Sequence, residues 1–505
     1  MDLNTAKHVN LLLNYGFNKV LFNITQLPEV LEKMAVVLHC ESLLFSVDST
    51  PIVFDDMMKP ILDYGYSMHL FTPNTVSERD AFEAKLMDVM MPSPSDVKTE
   101  FHKRYLQSPD EATSYLYRLS KDVNYIKVNR LAHNIGWRYQ SAYGNLELTI
   151  NLAKPEKDPR DIARAKTLEQ TQDKNIPLCV LCKENEQNYY NARMNLRIVP
   201  ITLANELWHF QYSPYLYYHE HAIILHDTHR PMHISLNTVD YLIDFVDHFP
   251  SYFIGSNADL PIVGGSILNH DHFQAGKHTF AIENAKDSHV FETDDDEIIH
   301  VSILHWPLST LRLKSMSSKM LKHYANHFIA LWKSYSDQTC EINAFTGDTP
   351  HNTVTPILRK KGAFYEMDLI LRNNRTTKEH PLGLFHPHED VWHIKKENIG
   401  LIEAMGLAIL PGRLKDECQS IISSHNNNQK ILPKELKHHQ VWYDTLKSTY
   451  SDLSQQDLNK EIGKKFERVL LDAGVFKQDK VGIKGFKSFV YETLHHMRHS
   501  KKHIS

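Results

Sequence analysis

The run Gly264-Gly265-Ser266-Ile267-Leu268-Asn269-His270-Asp271-His272-Phe273-Gln274 joins a glycine pair to an H-x-H-x-Q pattern. Read as a strand entered from a glycine-rich turn, its two-residue period predicts His270, His272 and Gln274 on one face, with Asp271 and Phe273 on the other. Adjacent glycines allow close backbone approach, which suits a phosphate held by main-chain N–H groups. A neutral imidazole facing such a site can attack phosphorus and split a group transfer into two displacements through a phosphoramidate. The Gln274 amide can donate to a non-bridging oxygen but cannot protonate a leaving group, which fits a leaving group that is already a good one. Metal ligation, or a satisfied polar strand edge, is the competing reading of a bare H-x-H. The glycines and the glutamine tilt the balance toward transfer.

Upstream, Cys179-Val180-Leu181-Cys182 can present two thiolates to one zinc, and a tetrahedral structural site then needs two further ligands. His229 and His270 are the candidates. A redox dithiol is the alternative, without a thioredoxin-like context to support it, and two reduced cysteines in a turn is the plainer one. The remaining cysteines, Cys40, Cys340 and Cys418, are too few and too scattered for a disulfide framework.

Farther out, the pattern divides the 505 residues into three stretches. Residues 1–144 read as a mainly helical region: Val30, Leu31, Met34, Val37 and Leu38 line one face after Pro28, and Ser108-Pro109-Asp110-Glu111 is a helix start. Residues 145–300 open on Leu146, Leu148, Ile150 and Leu152 alternating with polar residues, the signature of a half-buried strand, and include a polar, proline-broken loop at 154–160. Residues 301–505 mix a helix from Lys314 to about Ser336 with a strand carrying Tyr365, Met367, Leu369 and Leu371. They end in a lysine-rich, helical, partly exposed tail in which Trp442, Leu446 and Tyr450 share a face.

The 56 Lys and Arg against 61 Asp and Glu give a net charge of −5, which argues against a general nucleic-acid binder. No stretch approaches the roughly 20 apolar residues of a membrane helix, and the first residues lack a signal peptide's apolar core, so a cytoplasmic protein with no membrane partner is expected. The 32 histidines raise the positive charge steeply below about pH 6.5. His386, His388, His393 and Glu403 could form a second metal site or meet a sugar phosphate, or lie in solvent. Arg359, Lys360 and Arg372 could neutralise phosphate charge or simply face water.

Several motifs together carry a resemblance: CVLCKEN at Cys179–Asn185, FQYSPY at Phe210–Tyr215, SNADLP at Ser256–Pro261, and the GGSILNHDHFQAG run. It continues in HNTVTP at His351–Pro356, His386-Pro387-His388, and ENIGLIEAMG at Glu397–Gly406. The chain resembles the second, bacterial class of hexose-1-phosphate uridylyltransferases, in the histidine-triad superfamily. The resemblance implies an α+β fold of two histidine-triad-like halves with antiparallel sheets plus a helical N-terminal region. It also implies a ping-pong exchange in galactose metabolism, in which UDP-glucose gives a uridylyl group to a histidine and galactose 1-phosphate collects it. By motif position His272 is the nucleophile, Gln274 stands where hydrolases of the superfamily have a third histidine, and Asn257 and Ser266 are phosphate or nucleotide contacts. Cys179, Cys182, His229 and His270 fall on positions that bind a structural zinc in the first class, and no organic cofactor is expected. Asp271 replaces the proline that the first class has between its histidines. A homodimer is compatible with the resemblance. A nucleotide-sugar phosphorylase or hydrolase is the alternative activity, and a non-catalytic nucleotide-sugar sensor the alternative to an enzyme.

Overall fold

Four of the first helices begin where a short polar side chain accepts a backbone N–H of their first turn. Asp2 caps Leu3–Asn18, Thr75 caps Val76–Met90, and Ser93 and Ser108 cap Pro94–Tyr105 and Pro109–Asp122, each of the last two with proline at the first helical position. The helices Leu27–Val37 and Phe54–Ser67 complete the expected helical region, and Leu12, Leu13, Met34, Ile61, Phe82, Leu86 and Leu116 form its dry interior. The computed structural model describes residues 1–153, 176–189, 192–265, 267–294 and 298–502; the expected loop at 154–160 and the candidate Ser266 lie outside the described residues.

The chain divides into two units. The first comprises Met1–His133, Ala153–Leu216 and Glu220–Arg230. Besides the helices it holds three antiparallel strands, Val199–Leu203, Glu206–Tyr212 and Ala222–His226, with Trp208 and Phe210 buried on the middle one.

The second unit comprises Asn134–Leu152, Tyr217–His219 and Pro231–Ser505. Strand Ile135–Ser141 pairs with Gly144–Ile150, so strand structure starts inside the stretch read as helical. Leu146, Leu148 and Ile150 are the buried face of the second strand, as the alternation predicts. Leu407–Leu410 adds to that strand in parallel. A larger antiparallel sheet runs in the spatial order His272–Gly276, Phe253–Gly255, Asn352–Lys361, Phe364–Asn373, Thr310–Ser315, Ile299–Leu304 and Asp287–Phe291. Helix Ser318–Ser334, where the spacing predicts one, packs on Thr310–Ser315 and Asn352–Lys361. The class is α+β, with antiparallel sheets and a helical N-terminal region.

Three neighbouring strands share a buried ionic cluster. Arg312 grips Asp368 with Nε to Oδ1 at 2.6 Å, and Arg359 reaches both Asp368 at 2.7 Å and Glu366 at 2.5 Å. Arg359 is therefore buried rather than facing solvent, and its guanidinium points at carboxylates of this sheet. Among the described residues no helix is long and apolar enough to cross a membrane.

Candidate active site

The strand that carries the nucleophile candidate starts later than the period suggests. It spans His272–Gly276, and Gly255 opposes Gln274 across the sheet, so His272 and Gln274 share a face while His270 and Asp271 sit in the bend before it. His270 is thus brought in by the bend and not by the strand's alternation.

That bend fixes the imidazole. His272 Nδ1 lies 2.8 Å from the His270 carbonyl oxygen. A carbonyl only accepts, so Nδ1 carries the proton and the lone pair resides on Nε2. The ring is 5% exposed, which holds it in one orientation.

The glycine turn is shaped by close contact. A Cβ on Gly264 would meet the Ala258 and Leu260 carbonyl oxygens at 2.5 and 2.7 Å, and one on Gly265 would meet Asn257 Nδ2 at 2.5 Å. Close backbone approach is the reason for both glycines, as expected, but the atoms approached belong to the chain itself. Asn257, 5% exposed, accepts from the Leu401 N–H at 2.8 Å through Oδ1, leaving its amide N–H groups on the Gly265 side. Asn398 Nδ2 reaches the Gly264 carbonyl at 3.4 Å, and Arg372 donates to the Ile399 carbonyl at 2.9 Å. The segment Asn398–Leu401 thereby braces the turn ahead of His272, a link across more than a hundred residues that no local pattern announces.

Arg372 is fully buried, with its Nε unpartnered, and burial lowers its pKa to about 10 against the pull of Glu403. Glu403 itself is engaged by Lys395 at 3.0 Å. His386 is buried, not solvated, and burial lowers its pKa. His393 turns instead toward His439, and Glu403 toward Lys395.

In the first unit three of the four expected metal donors converge. Cys179 Sγ lies 3.6 Å from Cys182 Sγ, which lies 3.1 Å from His229 Nδ1 just beyond strand Ala222–His226. Sulfurs each about 2.3 Å from a tetrahedral zinc stand somewhat under 4 Å apart, so the spacing fits. The hydrogen bond from Cys179, then burial, push the Cys182 thiol far above the usual range. Held this close, Cys182 stays a protonated thiol unless a cation sits beside the pair. His270, the fourth candidate, belongs to the second unit.

Comparison with known proteins places these residues in a family. The family models for galactose-1-phosphate uridyl transferase match at residues 38–231 for the N-terminal domain and 245–441 for the C-terminal domain. The chain is 44% identical over 493 residues to galactose-1-phosphate uridylyltransferase of Clostridium acetobutylicum, covering 95% of this chain and 98% of that protein. It is 42% identical over 503 residues to the protein of the same name from Bacillus subtilis, covering 97% and 98%. The Halalkalibacterium halodurans protein of that name is 46% identical over 447 residues, covering 86% and 87%.

Proposed function

The chain belongs to the galactose-1-phosphate uridylyltransferase family, whose members are nucleotidyltransferases, and we propose that it exchanges a uridylyl group between UDP-glucose and galactose 1-phosphate through His272. The observation that carries the covalent step is the 2.8 Å hydrogen bond from Nδ1 to the His270 carbonyl. It commits the ring to the tautomer whose Nε2 lone pair can attack, and it stabilises the positive charge that the ring gains on attack.

In the first half-reaction Nε2 forms a bond to the uridylyl phosphorus of UDP-glucose, and the bond from that phosphorus to the glucose 1-phosphate oxygen breaks. Glucose 1-phosphate leaves with the electron pair, and as a phosphate it needs no proton to do so. In the second, a phosphate oxygen of galactose 1-phosphate attacks the same phosphorus, the P–N bond breaks, and UDP-galactose departs from a neutral histidine. Gln274 donates its amide N–H to a non-bridging oxygen as charge shifts there. Asn257 and Ser266 belong to the same proposal as phosphate or nucleotide contacts, Asn257 through its amide N–H groups. The organisation goes with it: 1–144 an added region that is helical up to the strand Ile135–Ser141, 145–300 the half with the nucleophile, 301–505 the second half. The proposal includes a structural zinc on Cys179, Cys182, His229 and His270 that takes no part in the transfer.

The test is incubation with UDP-glucose labelled in the uridylyl group and no acceptor. Acid-labile label on His272, discharged by galactose 1-phosphate, supports the exchange. Release of UMP without retained label would replace it with hydrolysis, and absence of any reaction would remove the activity.

A further inference from the structure

Away from that site, a second set of imidazole and carboxylate donors gathers in the second unit. Glu417 lies in the first turn of helix Leu414–Asn426, His438 and His439 end the short helix Lys434–His439, and His393 follows the turn Glu389–Val391. One ligand atom each of Glu417, His438 and His439 lies within 4.8 Å of the others. His439 Nε2 stands 3.1 Å from Glu417 Oε2, and His438 Nε2 stands 3.5 Å from Oε1. His439 is fully buried and His438 is exposed, so the set is anchored on one side and open to solvent on the other. Behind it, His393 Nδ1 and His439 Nδ1 face each other at 2.8 Å, and His393 Nε2 is buried without a partner.

We propose that Glu417, His438 and His439 bind a divalent transition-metal ion of the zinc type, with His393 orienting His439 from behind. Two imidazoles and a carboxylate select such ions over magnesium or calcium, which prefer oxygen ligands. Three protein ligands leave a fourth, water-filled position on the exposed His438 side. A ligating histidine ordinarily passes its other N–H to an acceptor, and His393 Nδ1 occupies that place for His439. Without the ion, His439 Nε2–H donates to Glu417 and His393 Nδ1–H donates to His439. With it, both rings switch tautomer: His439 turns its Nε2 lone pair to the metal and donates Nδ1–H to His393, whose proton moves to Nε2. No proton is gained or lost overall.

One group competes. Arg413 Nη1 meets Glu417 Oε2 at 2.5 Å and His438 Nε2 at 3.4 Å, so its guanidinium holds the position a cation would take. Its side chain is 38% exposed and can swing into solvent.

The test is titration of the metal-free full-length protein with Co²⁺, with Zn²⁺ as competitor. Cobalt on cysteine gives an intense thiolate charge-transfer band, whereas cobalt on this set does not, so the two sites are read separately. The expected result is a thiolate-free ion whose affinity falls by about tenfold or more in His438→Ala and rises in Arg413→Gln, with the thiolate band unchanged in both. The exposed pair His495 and His499 is untouched by either change, so an ion held there would not follow the two variants. Equal thiolate-free binding by wild type and His438→Ala would overturn the proposal, as would an Arg413→Gln protein that binds no more tightly.

Discussion

At His272 one hydrogen bond decides which nitrogen can act, and that makes the residue testable without disturbing the fold. Asparagine reproduces the Nδ1 edge of imidazole: its Nδ2 can still donate to the His270 carbonyl that now receives Nδ1–H at 2.8 Å. What it removes is Nε2. His272→Asn is therefore expected to keep the wild-type circular dichroism and melting behaviour while exchange falls by on the order of a thousandfold or more. An active variant would move the covalent step to another residue. The pairing of His272 with Gln274 was legible in the sequence, because alternation within a strand is a local property. The placement of His270 was not. The strand starts only at His272, two residues ahead of the Gln274–Gly255 pair, and where a strand starts depends on tertiary pairing that the residues of the motif do not announce.

Among elements, the sharpest constraint is the ionic cluster on strands Thr310–Ser315, Asn352–Lys361 and Phe364–Asn373. Burial alone would raise the Glu366 carboxyl, but Arg359 and Arg312 outweigh it and hold the group down at about 2. The folded pKa is thus depressed, so its contribution to stability is fully present above the unfolded value of about 4.3 and is lost as pH falls toward about 2. Acid unfolding is expected to set in across that window. Asp368→Asn should cost about 3–5 kcal/mol at neutral pH in urea unfolding, because two guanidinium groups lose a buried partner. A loss under about 1 kcal/mol would show that solvent reaches the cluster. The strand at 364–373 was legible from Tyr365, Met367, Leu369 and Leu371, whereas its charged residues were not. Arg312 opposes Asp368 and Arg359 opposes Glu366 only once the register is set, and a sequence alone reads Arg359 as a free cation.

For the molecule as a whole, the decisive stretch is the one whose composition suggests a partly exposed helical tail. Helix Gln455–Ala473 is lysine-rich, yet Leu458, Ile462, Phe466, Val469 and Leu470 are completely buried, in one core with Leu146, Leu148 and Trp306. Gly463 admits the Tyr139 ring so closely that a Cβ there would come within 2.3 Å of it, and Tyr139 donates to Glu467 at 3.1 Å. The helical period marks that apolar face, but what it packs against lies some three hundred residues away. Burying a large apolar side chain contributes about 1.5–3 kcal/mol, so these five together supply roughly 8–15 kcal/mol. That is comparable with the entire stability of a typical domain, about 5–15 kcal/mol. A chain cut after Asp452 is therefore expected to lose the cooperative unfolding transition of the second unit, although the residues of the proposed active site all remain. Phe466→Ala, which removes one side chain and keeps the helix, should cost about 3–5 kcal/mol in urea unfolding. If the shortened chain still unfolds cooperatively near the wild-type midpoint, the helix is a covering and not a structural member of that unit. Retained exchange activity in the shortened protein would mean the same, since the strand bearing His272 draws its order from the unit that this helix completes.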